Sequence, residues 1–434
     1  MQQKLGSEHI RSSSLSRKTT ESQSDMTTAN IEEKCLKHDT TMCGGFKFCF
    51  SKRITNLHET QQKDGSVSGK DYERGHCAYS NGAAEGNVKM SHIEILPAYH
   101  GEAFIIYASK GDNNGVIVVD GGPAQSRIKV LRRLEQFDKI DLMVLTHYDS
   151  DHISGLNTFL EQQTDSEKSC VKELWVNCAR EIDMKEGNNV SYSQAYKMAN
   201  MLCAVNEKND GGIAWKERIA AGYERDLGFA TVNVIGPQAY ILDIRQKKYE
   251  ETMSDDVSSA RVEGDIKIPL ETLSQNEKMT PSTTKDNELA NIASIAFIIE
   301  CDGLRALMLG DSFPDSIEKE LRKNYSEEKP LKVDVVKVAH HGSRNNISNS
   351  LLDIIDCQDY IISTNGGTGN TRHPDREALA NILCHPRRDR SKTIRLFFNY
   401  DIEYIQKRTG LLLTKEETKK YNCEIYSPVS KYPL

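Results

Sequence analysis

Leu142-Met-Val-Leu-Thr-His147-Tyr148-Asp149-Ser150-Asp151-His152 joins a run of apolar residues directly to two imidazoles and two carboxylates. A short apolar run of this kind reads as a buried strand. In extended backbone, residues two apart project to one side. His147, Asp149 and Asp151 therefore converge, Tyr148 and Ser150 point away, and a turn at His152 brings in a fourth group. That donor set suits a divalent transition metal, or a pair of them, better than any nucleophilic triad.

The same texture extends in both directions. Strand-length apolar runs occur at His92 to Leu96, Ala103 to Ala108, Gly115 to Val119, Leu174 to Val176 and Ala230 to Ile235. Others follow at Ile292 to Ile299, Arg305 to Met308, Val333 to Val338, Tyr360 to Ile362 and Thr393 to Phe398. Helical spacing lies between several of them, at Ser126 to Phe137, Ser191 to Val205, Pro314 to Asn324 and Asp375 to Leu383. Strands alternating with helices predict an α/β layered domain over residues 90–434. Residues 1–89 are polar and show no sustained period, which predicts a poorly ordered extension. A polar insertion is expected around residues 250–290.

Of the 434 residues, 56 are Lys or Arg and 63 are Asp or Glu, so the net charge of -7 excludes an overall basic field for holding a polyanion. Contact with nucleic acid must then be local, through strips such as Arg127, Lys129, Arg132 and Arg133 or Arg387, Arg388, Arg390 and Lys392. No apolar run approaches the ~20 residues that span a bilayer, and the first residues lack the apolar core of a secretion signal. The expectation is a cytoplasmic protein with no membrane contact. Eleven scattered cysteines argue for thiols, not a disulfide framework. Cys35, His38, Cys43, Cys49, His76 and Cys77 match no closed zinc pattern.

Three further segments end strands in polar groups. Val116-Ile-Val-Val-Asp120-Gly-Gly122 and Ala306-Leu-Met-Leu-Gly310-Asp311 each deliver a carboxylate. Val333-Asp-Val-Val-Lys-Val-Ala-His340-His341-Gly342-Ser343 delivers two histidines. Adjacent histidines in extended chain face opposite ways, so one is expected to bind metal. His340, nearest the strand end, is assigned that place, and His341 is left to meet substrate. Ser363-Thr-Asn365-Gly-Gly-Thr-Gly-Asn370-Thr-Arg372-His373-Pro374 is a Gly-rich loop of a make-up that cradles phosphate oxygens.

The 147–152 segment, followed by Ile153-Ser154-Gly155, resembles the metallo-β-lactamase superfamily signature His-x-His-x-Asp-His, with Asp149 where the second His usually stands. The ordered set of motifs is similar to that of the soluble hydrolase domain of competence-type DNA-uptake channel proteins, over roughly Met90 to Phe398. The resemblance implies a four-layer αββα sandwich of two mixed sheets flanked by helices. It also implies a metal centre of His147, Asp149, Asp151, His152, Asp311 and His340, with Asp311 bridging and Asp120 bracing the ligand loop. The superfamily usually has another imidazole where Asn291 stands here.

The activity so implied is metal-dependent hydrolysis, foremost of a phosphodiester in nucleic acid, using one or two divalent ions, Zn or Mn foremost. Asp151 orients the attacking hydroxide, while His341 and His373 stabilise charge or protonate the leaving oxygen. Asn291, Ser343, Asn365 and Asn370 are the expected substrate contacts. Hydrolysis of a small ester, lactone or amide on the same fold remains open, as does a non-catalytic interaction module with a degenerate metal site. Protein partners and oligomeric state are not legible. Tyr192 and Tyr196, with Met198, Met201 and Leu202, are read as either a lid or plain core.

Overall fold

A computed structural model describes residues 90–164, 166, 168–177, 190–208, 212–249, 265–283, 286–367 and 372–433. The 1–89 extension with its cysteines, most of the first half of the expected insertion, and Asn370 lie outside the described residues, as does the Tyr192 side chain.

Two mixed sheets stack face to face. The first has seven strands in the spatial order Lys431–Tyr432, His92–Ile95, Phe104–Lys110, Asn113–Val119, Leu142–Leu145, Glu173–Val176 and Ala214–Lys216. Its first four strands pair antiparallel, and from Asn113–Val119 onward the pairing is parallel. The second has eight, in the order Cys423–Tyr426, Ile394–Phe398, Asp359–Ile362, Val335–Lys337, Leu304–Met308, Ala296–Cys301, Thr231–Gly236 and Glu224–Asp226. Here the parallel half runs from Cys423–Tyr426 to Leu304–Met308, and the rest is antiparallel. The chain thus builds one sheet and then the other. Only Lys431–Tyr432 returns to the first.

Alternation along the strands explains the layering. Leu142 and Val144 face the second sheet with Ile117, Val119 and Phe104, meeting Phe297, Ile299, Met308 and Ile361. Met143 and Leu145, one position out of phase, face the opposite way. They pack with Val118 beneath helices Arg127–Leu134, Ser150–Gln163 and Val190–Lys208. On the second sheet, Leu307, Val336, Ile362 and Phe398 bury their outer faces under helices Pro314–Leu321 and Arg376–Cys384. Each such side chain removed from water contributes roughly 1.5–3 kcal/mol. The four layers are those of the α/β fold with two mixed sheets and flanking helices. Met198, Met201 and Leu202 belong to the outer core, which places that stripe in packing.

The expected insertion contributes structure where it is described: Leu270 and Leu273 of helix Leu270–Leu273 are buried in the second outer core. Among the described residues no helix is long and apolar enough to cross a membrane.

Candidate metal centre

Every group expected to bind metal lies in a segment that follows a strand. The ligand loop is not extended throughout. Asp149 is in β conformation and caps helix Ser150–Gln163, so Asp151 and His152 lie in its first turn. Convergence comes from the strand-to-helix junction and not from strand alternation alone.

The support beneath this loop is Asp120. This buried residue takes a left-handed φ of 57° at the start of the Gly121-Gly122 turn. Its Oδ1 accepts from the Thr146 amide at 2.8 Å, and its Oδ2 accepts from Thr146 Oγ1 at 2.7 Å. His152 Nδ1 lies 2.9 Å from the same Oδ2. Gly155 lets the helix pass directly over this turn, since a Cβ there would lie 1.9 Å from the Gly121 carbonyl oxygen.

Four imidazoles converge on one carboxylate oxygen. Asp311 Oδ2 lies 3.8 Å from His147 Nε2, 3.4 Å from His152 Nε2, 3.7 Å from His340 Nε2 and 3.8 Å from His341 Nε2. The outward nitrogens identify the tautomers. His341 Nδ1 donates to the Ser363 carbonyl at 2.9 Å, and His152 Nδ1 to Asp120. Asn346 commits its amide to the Asp311 and Ser312 carbonyls, leaving Oδ1 to accept from His340 Nδ1 at 3.2 Å. Thr146 Oγ1 already donates to Asp120, so it accepts from His147 Nδ1 at 3.2 Å. All four rings therefore turn Nε2 toward the Asp311 carboxylate. Buried Nε2 of His147, His152 and His341, and Asp311 Oδ1, have no hydrogen-bond partner. Such a group is a candidate to hold a cation between its members, and imidazoles held through Nδ1–H to oxygen acceptors are the usual form of metal-bound histidine.

Ligand atoms of His147, His152 and Asp311 lie within 4.8 Å of one another, as do those of Asp151, His152 and His341. Asp149 Oδ2 is 3.6 Å from His147 Nε2, and Asp151 Oδ2 is 3.3 Å from His341 Nε2. Burial opposes charge on His152 and His341, yet Asp311 and the neighbouring carboxylates outweigh it and hold both imidazoles above their usual value. Burial likewise opposes ionisation of Asp151 and Asp311, but the surrounding imidazoles hold both carboxyls well below the usual carboxylate range.

The pair at 340 and 341 differs from the sequence expectation of opposite-facing rings. Both residues take left-handed backbone, φ 48° and 56°, in a tight turn Ala339–Gly342, which keeps the two rings on one side. His341 is buried within the cluster, while His340 is 27% exposed at its rim, where burial and its His373 and His341 neighbours lower it to about 4. His373 stands behind it, with ring centroids 5.2 Å apart and Nδ1 3.3 Å from Asp375 Oδ2.

The expected substrate contacts scatter more. Asn291 ends helix Asp286–Ile292 with a buried, unpartnered Oδ1. Three residues on, Ser294 Oγ accepts from the Asp311 amide at 3.0 Å and lies 3.5 Å from His147 Nδ1. Buried Ser343 closes its turn onto the His340 carbonyl, and Asn365 Oδ1 is taken by the Gly367 amide.

Two buried residues escaped the sequence reading. Lys337 Nζ pairs with Glu102, donates to the Gly310 carbonyl at 2.8 Å and stands 3.9 Å from Asp311 Oδ1. Glu102 Oε1 is also 3.3 Å from His341 Nδ1. The signal for Lys337 was a lone charge inside the apolar run Val335-Val-Lys-Val338. Glu102 carried no signal beyond the preceding Gly101, whose Cβ would lie 1.9 Å from the Asp151 carbonyl oxygen.

The sequence profile of the Metallo-beta-lactamase superfamily matches residues 100–174, which span Glu102, Asp120 and the whole ligand loop. That stretch of the chain is similar to the metallo-beta-lactamase superfamily. The two mixed sheets with flanking helices are consistent with that superfamily's fold, and the described residues include candidate ligand groups for metal. Among solved structures, this chain is similar to the metallo-beta-lactamase fold protein YhfI from Bacillus subtilis. The two are 10% identical, with 79% of this chain and 98% of that one covered at a TM-score of 0.34. CmlA, a diiron beta-hydroxylase from Streptomyces venezuelae, is 11% identical over 79% of this chain and 54% of that one, at a TM-score of 0.36. Zn(2+)-bound PqqB from Methylobacterium extorquens is 10% identical over 56% and 71%, at a TM-score of 0.30. No curated protein matches the sequence.

Proposed function

We propose that this chain is a metal-dependent phosphodiesterase acting on nucleic acid. The observation that carries the metal is the convergence of four Nε2 atoms on Asp311 Oδ2. Asp151, His152, His341 and Asp311, with His340 at the rim, would hold one ion. His147, Asp149 and Asp311 would hold another, and the Asp149 oxygen in place of an imidazole would admit Mn as readily as Zn. Divalent ions at such a place acidify a water toward neutrality and polarise a phosphoryl oxygen.

The remaining work falls to side chains. Asp151, held ionised, accepts a hydrogen bond from the attacking water at Oδ and sets its direction. His373 holds its Nδ1 toward Asp375 and offers Nε2 to the leaving oxygen. Asp375 stays ionised beneath it; burial pushes its carboxyl up, but His373 and Arg344 bring it down to about 2. Nucleic acid as the source of the phosphodiester rests on the motif resemblance to DNA-uptake hydrolase domains and on the exposed cations Arg127, Lys129 and Arg132. The other expected basic strip is engaged locally: Arg387 pairs with Glu327, and Arg388 donates to the Leu383 and Asn422 carbonyls.

The test combines elemental analysis with hydrolysis of bis(p-nitrophenyl) phosphate and of oligonucleotides, comparing wild type with Asp151→Ala. The expected result is bound transition metal and at least a hundredfold loss of turnover in the variant. Equal turnover in both proteins would overturn the proposal.

A further inference from the structure

Tyr99, Tyr400 and Tyr404 form a ladder on the same edge of the sandwich as the metal centre. Tyr99 and Tyr400 have ring centroids 6.4 Å apart, and the Tyr99 amide donates to Tyr400 Oη at 2.8 Å. Tyr400 and Tyr404 are 6.2 Å apart with planes inclined by 26°. Tyr99 and Tyr400 are tilted by 44° and half-buried, and Tyr404 is 39% exposed.

A cation stands at each end. Lys129 Nζ lies 5.8 Å from the Tyr99 ring centroid, and the Arg408 guanidinium lies 4.5 Å from that of Tyr404. Exposed Arg127 and Arg132 continue the positive charge beyond Lys129 on one helix. Asp401, at the start of the same helix, caps it, since its carboxylate accepts from the Glu403 and Tyr404 amides.

The ladder is rigidly joined to the candidate site at both ends. Two residues after Tyr99, Gly101 packs on the Asp151 carbonyl, and the next amide, of Glu102, donates to that oxygen at 3.2 Å. Arg408 donates to the Asn365 carbonyl in the Gly-rich loop, and Ser363 Oγ bonds the Gly101 carbonyl at 3.2 Å. Ser363 is also the residue whose carbonyl holds His341. An exposed Tyr404 ring beside the half-buried Tyr99 and Tyr400, flanked by cations, suits unpaired bases on a polyanionic backbone, because every base has a face to stack and a duplex hides it.

We infer that Tyr99, Tyr400 and Tyr404, with Lys129 and Arg408, form a track that binds single-stranded nucleic acid and leads its backbone to the metal centre. The inference rests on the phosphodiesterase reading for its direction and is tested apart from it. Binding of fluorescein-labelled twelve-nucleotide oligo(dT), oligo(U) and a duplex, each with a cleavage-resistant phosphorothioate backbone, is measured by anisotropy in the full chain with its metal retained. Hydrolysis of bis(p-nitrophenyl) phosphate, which has no base to stack, is measured in parallel.

Tyr404→Ala is expected to weaken single-strand binding about tenfold, Tyr404→Phe to retain it, and both to leave bis(p-nitrophenyl) phosphate hydrolysis unchanged. Arg408→Ala is expected to weaken binding and flatten its salt dependence. Preference for oligo(U) or oligo(dT) assigns the sugar. Equal single-strand affinity in wild type and Tyr404→Ala, or a duplex bound as tightly as a single strand, overturns the track. Tyrosine-dependent binding without hydrolysis of any phosphodiester supports the track and overturns the phosphodiesterase reading instead.

Discussion

Asp120 touches no expected substrate, yet it fixes Thr146 and His152 at once. Its replacement by Asn keeps the shape but removes the anion that holds the Nδ1 proton of His152. Groups in this position govern metal affinity by about 10–100-fold, so Asp120→Asn should weaken metal binding by that factor in a competitive chelator titration. The Glu102–Lys337 pair makes a different prediction. Lys337→Met leaves Glu102 and Asp311 buried without their common cation and should cost about 3–5 kcal/mol in urea unfolding. The double change Glu102→Gln with Lys337→Met should recover much of it, because the penalty lies in the orphaned charge. Equal losses in the single and double variants would show that the pair acts through packing alone.

The junction of strand Leu142–Leu145 with helix Ser150–Gln163 shows how far local sequence carried. The strand was legible because four apolar residues ran into polar ones. The helix was not, since its first turn holds Asp151 and His152, and residues that look like ligands hide a helix start. Strand Ile292 to Ile299 was expected too long at its beginning; Asn291 and Ile292 end a helix, and the strand is Ala296–Cys301. Helix Ile402–Thr409, which carries Tyr404 and Arg408, and strands Cys423–Tyr426 and Lys431–Tyr432 were missed because short, mixed segments show no period. The histidine turn was misread for a related reason: left-handed backbone at two successive non-glycine residues is uncommon. The crossing of the helix over the Gly121-Gly122 turn belongs to this scale as well. Gly155→Ala would drive a methyl group into a backbone oxygen and should cost about 1–3 kcal/mol in chemical unfolding.

Both sheets contribute to the ligand set. His147, Asp149, Asp151 and His152 follow a strand of the first sheet, whereas Asp311, His340 and His341 follow strands of the second. A bound ion therefore clamps the sheets at one edge, and its free energy adds to the stability of the whole domain. Removing metal with chelator should lower the melting temperature, and an ion restored at a thousandfold excess over its Kd should return about 4 kcal/mol. An unchanged melting temperature would place no ion between the sheets. This arrangement was legible only in part, because strand ends bearing His and Asp announce ligands while the pairing that gathers them does not. The exposed turn at Gly222 lies between the last successive strand of the first sheet, Ala214–Lys216, and the first of the second, Glu224–Asp226. Severing the polypeptide there yields two pieces that each hold an incomplete set of donors. Mixed together, they should recombine more tightly when a divalent ion is supplied, turning the enzyme into a self-reporting sensor for that ion.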